Sequence, residues 1–227
     1  MKKILTTIAA SLMAVSAYAN DIYVTQSGDA LDLDITQDGQ NNTVGASGTA
    51  SASTGSTTIL DIDQVGGSNV LTYQVNGATF TGTFNVTGDS NDIDFNCDST
   101  NGNSSCGTVT ASITMVGSSN DVDLDIGETS DASNSTVTIT SAASDDTNVI
   151  AATVDGTSAI LTITVDGDTN NWLVDIDGNG DINGHTLIHS HTGGIADVDI
   201  VQSGVYDNYI SLTTSGDNAD IDISQTD

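Results

Sequence analysis

Gly117-Ser-Ser-Asn120-Asp-Val-Asp-Leu-Asp-Ile126 decides the fold. Asp121, Asp123 and Asp125 alternate with Val122, Leu124 and Ile126, so one face is charged and the other apolar. Such alternation marks a strand with one buried and one wet face. Gly117 and Asn120 read as a turn before the strand. Glycine supplies positive φ cheaply, and asparagine tolerates the left-handed region and bonds local backbone.

The same unit recurs on both sides. Alternating strands include Leu31-Asp-Leu-Asp-Ile35, Asp61-Ile-Asp63, Asp92-Ile-Asp-Phe95, Asp197-Val-Asp-Ile200 and Asp220-Ile-Asp-Ile223. The G-x-x-N turn recurs at Gly39/Asn42, Gly66/Asn69, Gly88/Asn91 and Gly167/Asn170. Units repeat every 22 to 29 residues. Gly45 to Thr58, Asp98 to Gly107 and Gly127 to Ser135 read as polar loops that account for the variable length. One unit cannot bury its own apolar face, whereas a stack of units buries a continuous narrow core. The expected fold is all-β, a β-solenoid of stacked strand-turn-strand (β-arch) repeats. A β-sandwich is the structural rival.

Composition limits function. Of 227 residues, 31 are acidic and 2 basic, giving a formal charge of −29. Both basic residues, Lys2 and Lys3, lie at the N-terminus, and Glu128 is the sole glutamate. Beyond Lys3 the chain has no cation to neutralise phosphates, which argues against nucleic-acid binding. Anionic membranes are poor partners for the same reason. There is no proline, which suits a long ladder of strand hydrogen bonds. Aromatics make up 4 % of the chain, enough for a thin core.

Met1-Lys-Lys, the apolar run from Ile4 to Val15 and Ala17-Tyr18-Ala19 read as a bacterial secretory signal peptide over residues 1–19. The apolar run is too short to span a bilayer, so no membrane insertion is expected. The expected repeat domain is 20–227, and the expected location is extracellular or on the bacterial outer surface. In an oxidising compartment Cys97 and Cys106 are most simply a disulfide closing a Ser/Asn/Gly loop.

Here the sequence resembles curlin repeats, the units of bacterial curli fibres, whose motif is approximately S-x5-Q-x-G-x-x-N-x-A-x3-Q. Gln37-Asp-Gly39-Gln-Asn-Asn42 and Gln64-Val-Gly66-Gly-Ser-Asn69 match the Q-x-G-x-x-N core. Gln26-Ser-Gly28 precedes Gln37 by eleven residues, the half-repeat of a strand-turn-strand unit. Gln202-Ser-Gly204-Val-Tyr-Asp-Asn208 carries one extra residue. Leu31 and Thr58 stand where the motif has Ser, and Gln74 arrives one residue early. The middle units, at Gly88 and Gly117, keep Gly and Asn but lose Gln. The resemblance implies a cross-β fibre subunit for adhesion and biofilm matrix. It also implies Gln and Asn ladders, self-association through terminal rungs, and partners for export and nucleation.

Stacked aspartates pose a cost. At about 4.8 Å between rungs, two carboxylates repel by about 0.9 kcal/mol even at the dielectric of water. Staggering, salt screening or bridging by calcium would relieve it. Asp175-Ile-Asp177-Gly-Asn179-Gly180-Asp181 resembles the start of a calcium loop, making Asp175, Asp177, Asn179 and Asp181 candidate ligands. Position 12 of that loop is Thr186, and a strand rather than a helix precedes it, so it is no EF-hand. No cofactor is required. His185, His189 and His191 fall on one face of a strand and could hold zinc or copper, although Leu187 shares that face. Exposed or laddered histidines are the plainer reading, and Trp172 reads as a packing residue or an exposed aromatic near a turn. Catalysis has no support from a nucleophile elbow or a cationic clamp, so an enzyme is not expected.

The expected function is that of an extracellular curlin-like fibre subunit. The alternative is a monomeric acidic solenoid serving as a surface adhesin or calcium-dependent binding module. An ice-binding solenoid needs regular threonine arrays. Thr136-Val-Thr-Ile-Thr140 and Thr162-Ile-Thr164 point that way, but along the sequence they do not recur regularly.

Overall fold

Alternating residues form strands here because Val, Ile, Leu and Thr suit a pleated surface and because every second side chain has a core to enter. A computed structural model describes residues 20–28, 30–39, 41–45, 51–97, 106–127, 134–142, 147–177, 184–204 and 208–226. The first strands are β1 (Asn20–Ile22), β2 (Thr25–Ser27), β3 (Ala30–Asp38), β4 (Asn41–Val44), β5 (Ser51–Val65) and β6 (Ser68–Thr87). Next come β7 (Ser90–Cys97), β8 (Thr108–Val116), β9 (Ser119–Ile126), β10 (Asn134–Ala142), β11 (Thr147–Asp155) and β12 (Ala159–Asp166). The last are β13 (Thr169–Asp177), β14 (Thr186–Thr192), β15 (Ile195–Ser203), β16 (Tyr209–Ser215) and β17 (Asn218–Thr226). No helix occurs among the described residues.

Successive rungs pair in parallel, as in β7 with β9 and β8 with β10. The chain alternates between two faces. One carries β1, β2, β4, β7, β9, β11, β13, β15 and β17. The other carries β3, β8, β10, β12, β14 and β16. Both β5 and β6 turn the corner and contribute to each face. The protein is a β-solenoid of stacked strand-turn-strand repeats. A sandwich of hairpins would pair its strands antiparallel, and parallel pairing between successive repeats excludes it.

The core lies between the faces as columns of stacked side chains. One column runs Leu71, Ile93, Val122, Ile150, Trp172 and Val198, all buried. Opposite it run Ile62, Phe84, Ile113, Ile139 and Ile163. Phe80, Phe84 and Phe95 form one cluster, with ring centroids 4.7 Å apart for Phe80–Phe95 and 5.6 Å for Phe84–Phe95. Gly82 makes room for it, since a Cβ there would stand 2.7 Å from Phe80 Cε1.

Two expectations change. Ser51 to Thr58, read as loop, belongs to β5, whose second half is held between β3 and β6. The repeat glycines also have a different purpose. Gly39, Gly66, Gly88, Gly117 and Gly167 do not adopt positive φ, and among the described residues no non-glycine residue does. What they need is room. A Cβ on Gly88 would overlap the carbonyl oxygen of Gly66 and stand 2.5 Å from Asn69 Nδ2. Stacked corners also bond each other: the N–H groups of Gly39, Gly66 and Gly88 donate to the carbonyls of Val65, Thr87 and Val116, each at 2.9 Å.

Gly88→Ala is therefore expected to destabilise the fold by about 1–3 kcal/mol, the range for overpacking. Ser118→Ala, at a corner position that already carries a side chain, is the control. Urea midpoints check this, and equal midpoints for the two variants would show that the corners have slack.

Candidate functional site

The corner asparagines form a buried amide ladder. Asn69 Nδ2 donates to Asn91 Oδ1 at 2.9 Å, and Asn91 to Asn120 at 2.6 Å. Asn120 donates to Asn148 at 2.8 Å, and Asn148 to Asn170 at 2.6 Å. Asn170 Nδ2 then donates to His191 Nε2 at 2.7 Å, which places the histidine proton on Nδ1. The same Nδ2 groups reach backbone carbonyls: Asn69 to Thr87 at 2.8 Å, Asn91 to Val116 at 3.3 Å and Asn170 to Gly167 at 2.8 Å. At the lower end Asn42 Nδ2 donates to Val65 O at 2.8 Å and Gln37 O at 3.2 Å. These asparagines lie in strands and point inward, so the left-handed turn role expected of them is replaced by a stacking role.

Sequence reading missed Asn148 and Ser141 as members. Asn148 lacks the G-x-x-N spacing, since Asp145-Asp-Thr precedes it. Its signal was a polar residue at an inward position of an alternating strand. Ser141 Oγ joins it there, accepting from Asn120 at 2.8 Å and donating to Asn148 at 2.6 Å. His191 enters from the opposite face because the next residue in the asparagine column is Ala196.

Glutamines sit near both ends of the stack. Gln64 Nε2 donates to Gln37 Oε1 at 2.7 Å, and Gln225 Nε2 to Gln202 Oε1 at 3.0 Å. Gln26 occupies the column that also contains Gln202 and Gln225. Gln74, one residue out of step with the motif, faces outward beside buried Tyr73 and Val75. Gly204 stacks against the His185 ring, where a Cβ would stand 2.9 Å from Cδ2. Gly28 closes the corner after β2.

The three histidines are buried rather than exposed. His185 Nδ1 accepts from the Ala159 N–H at 3.1 Å. His189 packs edge-on to Trp172 with centroids 4.4 Å apart, and His191 lies 5.2 Å from the same indole. Burial, and next the neighbouring His191, push the His189 pKa down to about 4. Burial lowers His191 as well, against a smaller opposing pull from Asp166 and the Gly167 backbone. Trp172 is a core residue, as read from sequence.

Carboxylates line the outside of the first face on β7, β9, β15 and β17, while Val149 and Leu173 are exposed on β11 and β13. Asp92 stacks on Asp121 and Asp94 on Asp123, in register between β7 and β9. Partial burial raises the pKa of Asp92, Asp94 and Asp121, and like charge adds to it: Asp94 and Asp123 on Asp92, Asp123 on Asp94, and Asp92 and Asp123 on Asp121. The stacks stop after two rungs. Val149 and Ala151 follow Asp121 and Asp123, and Thr83 follows the pair Asp34–Asp61. Interruption by neutral residues thus relieves the repulsion that an unbroken column would accumulate.

Of the calcium candidates, Asp175 and Asp177 lie in β13, while Asn179 and Asp181 lie outside the described residues, as does segment 1–19. The Asp175 pKa is raised by burial first and by Asp177 second. Asp177 accepts a hydrogen bond from Ser203. Among the described residues no group of three or more His, Cys, Asp or Glu is placed to hold a metal. Cys97 and Cys106 form a disulfide with Cα atoms 5.7 Å apart. Comparison with family models, curated proteins and solved structures found no match to this chain.

Asn120→Ala is expected to cost about 2 kcal/mol, because it removes a bridging amide and strands buried partners. An unchanged urea midpoint would mean that the ladder closes over the gap. The unfolded chain protonates His189 near 6.5 while the native state resists until about 4. The corresponding stability is full above 6.5 and falls as pH drops towards 4, a loss of about 2 kcal/mol by pH 5. His189→Leu should flatten urea stability between pH 7 and 5, and identical slopes for the two proteins would refute this. Asp123→Asn should raise stability at pH 7 and low salt by about 0.5 kcal/mol, with the gain fading at high salt. It should also fade as pH falls towards the ordinary carboxylate range, where protonation relieves the raised acids.

Proposed function

We propose that this chain is an extracellular structural subunit, similar to the curlin fibre proteins, which stacks end to end into fibres of an adhesive or biofilm matrix. One observation carries the reading. The outermost rungs match each other column by column. On the second face Ile210, Leu212 and Thr214 share their columns with Leu33, Ile35 and Gln37. On the first face Ile221 shares a column with Ile22, and Gln225 with Gln26. A second copy placed on β16 and β17 would therefore continue the apolar columns and bring Gln26 into line with Gln202 and Gln225, while Thr214 would meet Gln37.

The strand edges agree. Among the described residues, β17 pairs with β15 and β16 with β14, leaving their outer edges without a partner strand. Unpaired parallel edges of this kind template further strands. Ile221 and Ile210 are only partly buried at that end, and Ile223 is 48 % exposed. One like-charge contact would form at the joint, Asp220 over Asp21 of the next copy, so growth should favour higher salt. Export through the N-terminal leader and a nucleating partner complete the proposal.

The test is assembly of the chain from Asn20 onwards, followed by thioflavin fluorescence with and without sonicated seeds. A lag abolished by seeds is expected. Leu212→Asp should fold but neither grow nor be seeded, because its charge would be buried at the joint. A folded β-rich monomer that never assembles would overturn the fibre reading and favour an adhesin or binding module.

A further inference from the structure

The register aligns the threonines that look irregular along the chain. Thr110, Ser112 and Thr114 of β8 lie in register with Thr136, Thr138 and Thr140 of β10. Thr162 and Thr164 of β12 continue the second and third columns, and Thr81 and Thr83 of β6 extend the first two from the other side. All face outward, since the residues between them, including Ala111, Ile113, Val137, Ile139, Leu161 and Ile163, are buried. No slip interrupts the pairing from β6 to β12. The result is a hydroxyl-and-methyl grid with repeats of about 4.8 Å across rungs and about 6.6 Å along strands.

The grid contains no carboxylate, in a chain with 31 acidic residues. On the same rungs the opposite face carries Asp92, Asp94, Asp121 and Asp123. Strand propensity accounts for threonine on a β surface, but it does not account for the acids of this face, such as Asp61 and Asp63, giving way to hydroxyls in every column of the grid. The second face has acids of its own, but they flank the grid: Asp61 and Asp63 of β5 lie one rung before it and Asp166 ends β12.

We propose that this threonine face binds ice. Its two repeats lie near the oxygen repeats on the prism faces of hexagonal ice. Each threonine offers a hydroxyl that donates and accepts, and the stiff χ1 of a β-branched side chain holds hydroxyl and methyl in place at little entropic cost. Single contacts of this kind are weak, and an ordered grid sums them against a crystal that is itself ordered. A carboxylate would keep its own hydration shell and disrupt the fit. An uncharged grid thus meets an uncharged solid, with the carboxylates around it and on the other face left to water. This inference is independent of fibre formation, because the grid lies along the side of the stack and away from its ends.

The experiment observes single ice crystals in freshly prepared, unassembled protein from Asn20 onwards. Faceted crystals whose growth halts over a measurable hysteresis gap are expected. Thr138→Tyr, at the centre of the grid, should abolish faceting and gap with circular dichroism and urea midpoint unchanged. Thr136→Tyr serves as a second variant should the first not fold. Asp123→Asn, on the other face, should retain the gap. Round, freely growing crystals with the wild-type chain would overturn the proposal. So would a threonine variant that behaves as wild type, or equal loss in the aspartate control.

Discussion

The stacking of one corner directly on the next is the constraint on which the structure depends. A glycine carbonyl from one rung occupies the space where a Cβ of the next would go, and the amide beside it passes its hydrogen bond along the column. A buried amide left unpartnered costs about 1–3 kcal/mol, so the ladder penalises any rung that slips. Alternation then does the rest. Side chains reverse at every residue, and a slip by one would drive Asp92 and Asp94 into the core and expose Ile93 and Phe95. Amides inside and carboxylates outside thus specify the same register.

That register arranges the electrostatics. With both cations at positions 2 and 3, the described residues hold no lysine or arginine to pair with their acids. The fold instead limits repulsion by placement. Acids stack at most in pairs at the columns of Asp92 and Asp94 before Val149 and Ala151 intervene. The cost appears as carboxylate pKa values raised above their usual range. Towards the C-terminal end the interior turns polar, with His189, His191 and Gln202 stacked on Ile163, Val165 and Ile176 of the preceding rung. Neutral imidazoles there let His191 accept the final ladder bond, which a protonated ring could not do.

The two faces are consequently unlike. The first, dominated by aspartate, is heavily hydrated and repels similar surfaces, which discourages side-by-side association. The second, dominated by threonine along β6 to β12, lacks that barrier within the grid and meets carboxylates only at its borders, at Asp61, Asp63 and Asp166. A growing stack and a lateral binding surface can therefore coexist, because they use different directions of the same solenoid.

Much of the architecture was legible in local pattern. Alternation in Asp121-Val-Asp-Leu-Asp-Ile126 and the spacing of Gly117 and Asn120 are short-range properties, and they are sufficient to predict strand, corner and stack. They misled about reasons: glycine was read as a conformational device and proved to be a steric one, and asparagine was read as a turn residue and proved to be a rung of a ladder. Asn148, without its glycine, and His191, on the opposite face, were illegible for the same cause. Which residue meets which across 22 to 29 intervening positions depends on insert lengths and on how the chain turns, and neither is a local property. The sequence by itself determined that the protein is an acidic stack of β-arches. Only the tertiary structure decided which asparagines touch, where the aspartates pair and that scattered threonines form one grid. Those are facts of registry between rungs, set by packing and hydrogen bonding at long range.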